Sequence, residues 1–155
     1  MTTTLGARRG RGSATALVYA PATWACLTLM ACESSTDVDY ARGPSHLRYF
    51  DLRTTVTVPD TVDRAAPFDV KLTTYGDGCT QLGDTPVSTA GAVITVAPHD
   101  VFATGKDVVC PDILLGLEHI ASVSVATPGV VTIRIRGRDY PADSALVIER
   151  QVVVR

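Results

Sequence analysis

The cysteines are the residues of this sequence with the most informative chemistry. There are four of them, Cys26, Cys32, Cys79 and Cys110. A thiol can be acylated, oxidised to a disulfide or used as a metal ligand. No two of these cysteines have the CxxC spacing typical of zinc sites, and a pair supplies too few ligands for a tetrahedral centre. The spacing therefore favours acylation and disulfide formation, and we predict neither a metal site nor a cofactor.

An N-terminal segment, 1–31, has the three parts of a secretory signal. Its start holds three arginines and no acidic residue, and its centre is apolar. A leucine, Leu29, lies three positions before Cys32, and a small residue, Ala31, directly precedes the cysteine. The segment therefore predicts export, with cleavage before Cys32.

The run Leu29-Met30-Ala31-Cys32 resembles the lipobox of bacterial lipoproteins. That resemblance implies that Cys32 receives lipid and becomes the new N-terminus, so that the chain is held at a membrane. Two alternatives stay open, an ordinary cleaved signal and a retained transmembrane anchor. The apolar stretch of about 18 residues is at the lower limit for spanning a bilayer, which weighs against the retained anchor.

Export would leave Cys79 and Cys110 as an even pair, because Cys26 is removed with the leader and Cys32 is acylated. An oxidising compartment favours a disulfide between them, with two separate buried thiols as the alternative. Closing a loop of about 30 residues stabilises a fold by roughly 3 to 4 kcal/mol in the chain-entropy treatment. We therefore predict a Cys79–Cys110 disulfide.

Three arginines alternate along one predicted strand, namely Arg134, Arg136 and Arg138. Residues two apart in a strand point to the same face of the sheet. The three side chains could therefore contact an acidic partner or a surface glycan. The alternative is a solvated outer face without a ligand.

Other polar residues give weaker indications of chemistry. His99 and His119 with one aspartate could bind a metal, but they lack the short fixed spacing of known metal motifs. There is no GxSxG sequence, and the serines of the strand patterns suit cross-strand pairing rather than nucleophilic catalysis. We therefore predict that the protein is not an enzyme.

The charge balance limits the partner classes. The whole chain has 14 basic and 16 acidic residues, and residues 1–31 hold three arginines and no acidic residue, so the remainder has net charge −5. A domain of that charge is poorly suited to bind nucleic acid through electrostatic attraction. We predict no nucleic-acid partner.

The exported part has the pattern of an all-β domain. Phe68, Val70 and Leu72 alternate with polar residues, as do the apolar residues of 121–126 and 131–136. Pro128-Gly129 lies between those two runs and predicts a hairpin. A single helical turn is conceivable over 113–119.

Six to eight short strands with regular turns favour an antiparallel β-sandwich. The predicted organisation is a signal peptide over 1–31, a polar tether over 32–46 and a sandwich domain over 47–155. Loops over 76–86 and 98–119 would lie at one end of the sandwich, braced by the disulfide.

The sequence resembles small immunoglobulin-like lipoproteins of bacterial envelopes. The likeness depends on the lipobox, on Pro67-Phe68-Asp69-Val70, on the two later cysteines and on Thr127-Pro128-Gly129. It implies an immunoglobulin-like architecture and an envelope location, periplasmic or surface-facing, with the membrane as one partner. It assigns no catalytic residue.

The combined expectation is a membrane-anchored, non-enzymatic lipoprotein that binds a protein or a surface polymer through its loops. Two alternatives remain: a hydrolase-accessory or enzyme-inhibitor domain, and a purely structural spacer.

Overall fold

The structure, a computed structural model, describes residues 38–155, so the predicted signal peptide and Cys32 lie outside the described residues. The described part of the chain is built from β-strands and contains no helix. It therefore also contains no helix of the length and hydropathy needed to cross a membrane. The strands are β1 (Asp39–Pro44), β2 (His46–Tyr49), β3 (Leu52–Arg53), β4 (Val56–Thr57), β5 (Thr61–Val62), β6 (Pro67–Gly76), β7 (Thr80–Leu82), β8 (Val87–Ala90), β9 (Val93–Val96), β10 (His99–Thr104), β11 (Leu115–Ser124), β12 (Gly129–Tyr140) and β13 (Ser144–Val154).

The strands form two sheets that pack together as a β-sandwich, which confirms the predicted all-β class. A small sheet has the order β1-β10-β7, and a large sheet has the central order β11-β6-β2-β12-β13-β5. The large sheet has four further strands: β3 pairs with β2, β4 with β6, β8 with β9, and β9 with β12. The longest ladders are β12 with β13 and β6 with β11.

The large sheet is mixed, so the antiparallel pairing predicted for the sandwich does not hold for every strand. Strand β12 pairs in parallel with β2 and β9, and β13 pairs in parallel with β5. Parallel neighbours need long connections rather than tight turns, and such long-range pairing leaves no local signal in the sequence.

The apolar core lies between the inward faces of the long strands. Its members alternate along β6, β9, β11, β12 and β13, as the period of two requires. The buried residues are Leu47, Phe68, Val70, Leu72, Ile94, Val96, Ala121, Val123, Val131, Ile133, Ile135, Val152 and Val154. The apolar alternation in the sequence therefore predicted the buried face correctly.

The predicted tether, 32–46, is wrong over its second half. Residues 39–44 form β1, which is antiparallel to β10 from Asp39 opposite Thr104 to Pro44 opposite His99. The side chains of β1 are mostly exposed, so the strand lacks the apolar alternation that identifies a half-buried strand. Backbone pairing with β10, rather than burial of side chains, makes this segment a strand.

Two local predictions at the two ends of β11 are also wrong. Residues 115–119 form the first half of β11 rather than a helical turn. The Pro128-Gly129 turn does not make a hairpin, because β11 pairs with β6 while β12 pairs with β13. The chain passes at this turn from one half of the large sheet to the other.

The predicted disulfide partners lie at bonding distance. The sulfur atoms of Cys79 and Cys110 are 2.18 Å apart, with Cα atoms 5.3 Å apart. The segments predicted as loops, 76–86 and 98–119, are partly strands, since they contain β7, β10 and the start of β11. The loop that remains, 105–114, carries Cys110 and is therefore attached to the turn before β7.

Candidate ligand-binding face

Strand β12 positions the three arginines that the sequence singled out. Val131, Ile133 and Ile135 occupy the inward positions and are buried. The side chains of Arg134, Arg136 and Arg138 therefore point to the opposite, outer face of the sheet. The three guanidinium groups share that face, but their surroundings differ.

Two of the three arginines are paired with carboxylates. Arg134 lies directly opposite Glu149 in the β12–β13 register, and its Nε donates to Glu149 Oε1 at 2.8 Å. Arg138 donates to a carboxylate oxygen of Asp143, in the turn that joins β12 to β13. Both pairs are exposed, so each contributes at most about 1 kcal/mol to stability. Their main effect is to neutralise two positive charges on the face.

Arg136 has a different neighbour and no such partner. Its cross-strand neighbour is Val147, whose side chain cannot accept a hydrogen bond. Among residues 38–155 no carboxylate forms an ion pair with Arg136. Arg136 is exposed, so water solvates the charge and the unpaired state costs little. The guanidinium keeps all five donors for a ligand.

A surface cavity of about 440 Å³ lies at Arg136. This volume is within the range of small-ligand sites. Polar groups from four strands and the β12–β13 turn line it together with apolar residues. The lining residues are Pro44, Ser88, Thr95, Ala97, Pro98, His99, Arg136, Gly137, Arg138, Asp143, Ala145, Leu146 and Val147.

His99 lines this cavity, and one of its ring nitrogens has no hydrogen-bond partner among the described residues. Its backbone N–H donates to the carbonyl oxygen of Asp84 at 2.9 Å, which fixes the start of β10. Its Nδ1 atom is buried and has no hydrogen-bond partner among the described residues. A buried polar atom left unpaired costs about 1 to 3 kcal/mol.

Gly137 allows the strands around the cavity to approach closely. A Cβ atom at this position would lie 2.6 Å from both Leu47 Cγ and Ser45 O. Only glycine therefore lets β2 lie against β12, where Arg138 N donates to Ser45 O at 2.9 Å. Gly137 in this way fixes the spacing between Arg136 and the neighbouring wall of the cavity.

His119, the second histidine considered as a metal ligand, is used inside the protein. Its Nε2 lies 2.9 Å from Asp100 Oδ1, and its Nδ1 lies 2.7 Å from Thr85 Oγ1. Asp100 also accepts a hydrogen bond from Thr74 Oγ1 at 3.0 Å. We call these four residues the polar bridge, since Asp100 on β10 of the small sheet joins Thr74 and His119 of the large sheet.

The environment of Asp100 favours its charged form. Burial by itself raises the pKa of this carboxyl, but hydrogen bonds from His119 and Thr74 outweigh that effect and leave the pKa below its usual value. Asp100 is completely buried and His119 is almost so. The structure therefore does not bring together His99, His119 and an aspartate, the residues considered as metal ligands, because His119 and Asp100 bind each other and His99 lines the cavity.

Another grouping of potential metal ligands surrounds the disulfide. Asp77, Cys79 and Cys110 have ligand atoms within 4.8 Å of one another. The two sulfurs are bonded to each other, so the group offers a metal one carboxylate. Asp77 Oδ1 is moreover occupied by the backbone N–H of Cys79 at 3.0 Å and the hydroxyl of Thr80 at 2.9 Å. These contacts fix the turn that carries the disulfide.

The loop over 105–114 belongs to the predicted contact loops, is not part of a strand and is exposed. It presents Val109, which is 90% exposed, together with Ile113 and Leu114. Its only covalent link to the sheets apart from the chain itself is the disulfide at Cys110.

Comparison with known proteins assigns no relative to this chain. No protein-family model, no curated protein and no solved structure matches it. The functional argument therefore depends on the geometry of the described residues.

Sequence reasoning identified the arginine row but not the difference among its members. That difference depends on the β12–β13 register, which places Glu149 opposite Arg134 and Val147 opposite Arg136. The position of His99 at the cavity depends on where the start of β10 lies relative to the large sheet. No spacing in the sequence indicates that position.

Proposed function

We propose that the chain is a lipid-anchored, non-enzymatic binding protein of the bacterial cell envelope, with an immunoglobulin-like sandwich as its extracytoplasmic domain. Its ligand is an anionic group, a carboxylate or a phosphate, on an envelope protein or surface polymer. The cavity at Arg136 holds that group. The membrane is the second partner, through lipid on Cys32.

The observation that carries the binding proposal is the exposed, unpaired Arg136 in a cavity of small-ligand size. An arginine guanidinium matches the planar, bidentate geometry of carboxylate and phosphate oxygens. Ser88, Thr95 and His99 line the same cavity and add polar side chains to it. The neighbouring Arg134 and Arg138 each form an ion pair with a carboxylate of the protein, which supports a carboxylate or similar anion as the ligand of Arg136.

The anchor proposal depends on the lipobox and on the physics of acyl chains. Each buried methylene contributes about 0.8 kcal/mol, and a single acyl chain gives only marginal membrane binding. Bacterial lipoproteins resemble one another in carrying two or three chains on the cysteine. A domain held at the membrane by lipid lies close to other envelope components. The effective concentration of its ligand is therefore high, and a weak binding site is sufficient.

The anchor is tested by mass spectrometry of the protein purified from bacterial membranes. We expect an acylated N-terminus at Cys32, loss of residues 1–31 and a linked Cys79–Cys110 peptide. A full-length chain in the cytosol with both later thiols reduced would contradict the proposal.

The binding function is tested by crosslinking in intact cells. We expect envelope material to crosslink to the unaltered chain and to the control Arg134→Gln, but not to Arg136→Gln. Equal crosslinking by all three chains would contradict the role of Arg136.

A second candidate function is inhibition of an extracytoplasmic enzyme, or service as an accessory domain of one. The loop at 105–114 favours it, because Val109 is almost fully exposed next to a cysteine that fixes the loop. Val109→Asp would abolish inhibition or complex formation if this candidate is right, and would leave ligand binding at Arg136 unchanged.

A further inference from the structure

A second cavity lies beside the turn between β2 and β3. Its volume is about 390 Å³, which is again in the range of small-ligand sites. The lining residues are Arg48, Phe50, Asp51, Arg53, Asp139, Tyr140 and Pro141. None of them lines the cavity at Arg136. This hairpin cavity is therefore a separate candidate site.

Two aromatic residues, Phe50 and Tyr140, line one wall of the hairpin cavity, and a third, Tyr49, packs against both of them. The rings of Tyr49 and Tyr140 are stacked, with centroids 4.3 Å apart and planes 3° apart. Phe50 stands edge-on to both, with centroids 5.1 Å from Tyr49 and 5.3 Å from Tyr140. Stacked and edge-on pairs of this kind hold aromatic rings in fixed orientations. We call these three residues the aromatic platform.

The exposure and the backbone conformation of Phe50 are both unfavourable for the stability of the fold. The residue is 59% exposed, and its backbone φ is 52°, in the left-handed region that bulky residues rarely adopt. Glycine or asparagine would suit this turn better. Strained backbone and exposed aromatic rings concentrate at binding sites, where the strain has a use.

A charged pair forms the second wall. Arg48 Nε donates to Asp139 Oδ1 at 2.6 Å, and its Nη2 donates to Asp139 Oδ2. This bidentate contact lowers the pKa of Asp139 and fixes both side chains. The guanidinium of Arg48 remains partly exposed and has further donors. Asp51 and Arg53 add exposed polar groups at the rim.

A sugar ring has the chemistry that fits both walls. Its C–H face is apolar and flat enough to lie on an aromatic ring, and its hydroxyl groups both donate to carboxylates and accept from guanidinium groups. An extended proline-rich peptide instead favours an aromatic-lined groove. Four of the seven lining residues here are charged, which favours the sugar.

We propose that the hairpin cavity is a carbohydrate-binding site in which the aromatic platform stacks on a pyranose ring and the Arg48–Asp139 pair hydrogen-bonds its hydroxyl groups. The site is independent of the anion-binding cavity, because the two have no lining residue in common. Loss of one activity therefore does not imply loss of the other.

The test is calorimetric titration of the full-length, detergent-solubilised chain with hexasaccharides of glucose, galactose, mannose and N-acetylglucosamine. We expect at least one to bind, and Phe50→Ala to weaken that binding at least tenfold. Phe50→Tyr keeps the stacking surface and should bind within twofold of the unaltered chain. Arg136→Gln, in the other cavity, should also bind unchanged.

Phe50→Gly separates binding from folding. Glycine relieves the strain of a positive φ, so this variant should resist urea at least as well as the unaltered chain while losing the sugar. Failure of all four hexasaccharides to bind, unchanged binding by Phe50→Ala, or capture of a proline-rich decapeptide in place of sugars would each overturn the proposal.

Discussion

Arg136 and His119 are two basic residues of this domain in opposite situations. His119 is buried, and both ring nitrogens have partners, Asp100 and Thr85. Arg136 is exposed and has no carboxylate partner among the described residues. Burial requires that polar groups be satisfied within the fold, whereas an exposed cation can remain unpaired at little cost. The comparison teaches that the polar bridge serves stability and that Arg136 is available for binding.

The largest expected effect comes from breaking the polar bridge. Asp100→Ala leaves Thr74 and His119 buried without their acceptor, and we expect the free energy of unfolding to fall by about 3 kcal/mol or more. The measurement is urea denaturation followed by circular dichroism. The matched control is Asp84→Ala, because Asp84 pairs with Arg42 on the surface, where solvent screens the charges, and its loss should change the free energy of unfolding little. Equal losses of unfolding free energy in the two variants would show that the buried carboxylate contributes no more to stability than the exposed one.

Removal of the disulfide should have the next largest effect. The Cys79→Ser, Cys110→Ser double variant frees a loop with a sequence separation of 31 residues. In the chain-entropy treatment this lowers the free energy of unfolding by about 3 kcal/mol. Thermal melting with and without reductant measures it, and a reductant should not change the melting temperature of the double variant. A melting temperature equal to that of the unaltered chain would contradict the prediction.

Stability should fall in acid in two separate steps. Burial holds the pKa of His46 below its usual 6.5, so the unfolded chain binds the proton more readily and stability declines as the pH falls below about 6.5. The pKa of Asp100 is also lowered in the folded state, so its contribution is present above about pH 4 and is lost as the pH falls through the folded value.

Urea midpoints measured from pH 8 to pH 3 would show both steps. His46→Gln should remove the upper step and leave the lower one. A profile that is flat between pH 7 and pH 5 in the unaltered chain would contradict the assignment to His46.

A smaller effect should follow from freeing a second arginine. Glu149→Gln removes the carboxylate that holds Arg134, so two unpaired guanidinium groups would lie on the face of β12. We expect a twofold to fivefold increase in affinity for polyglutamate, which 150 mM salt should reduce because the added charge is exposed. Unchanged affinity in low salt would show that Arg134 is too far from the ligand to contribute.

The fold could be predicted from the sequence where burial follows chain periodicity. Phe68, Val70 and Leu72 alternate with polar residues, and the structure buries all three. The segment 39–44 could not be recognised, because its side chains are exposed and its partner, β10, lies about sixty residues later in the chain. The alternation of apolar and polar residues indicates that one face of a strand contacts the core. It does not indicate which strand lies beside it.

The site could be predicted only in part, for the same reason. The spacing of Arg134, Arg136 and Arg138 placed them on one face, which requires only the geometry of a single strand. The isolation of Arg136 and the use of His119 in the polar bridge depend on residues from other strands. The register of the β12–β13 pair decides the first, and packing between the two sheets decides the second. The incorrect hairpin at Pro128-Gly129 shows that local turn chemistry does not determine which strands pair.

Titration of the purified chain with polyglutamate at low salt tests the central claim most directly. The compared variants are Arg136→Gln and Arg134→Gln, which remove the same charge from neighbouring positions on one strand. We expect Arg136→Gln to weaken binding about tenfold, equivalent to 1.4 kcal/mol, and Arg134→Gln to change it less than twofold. Equal losses in the two variants, or none in Arg136→Gln, would contradict the account.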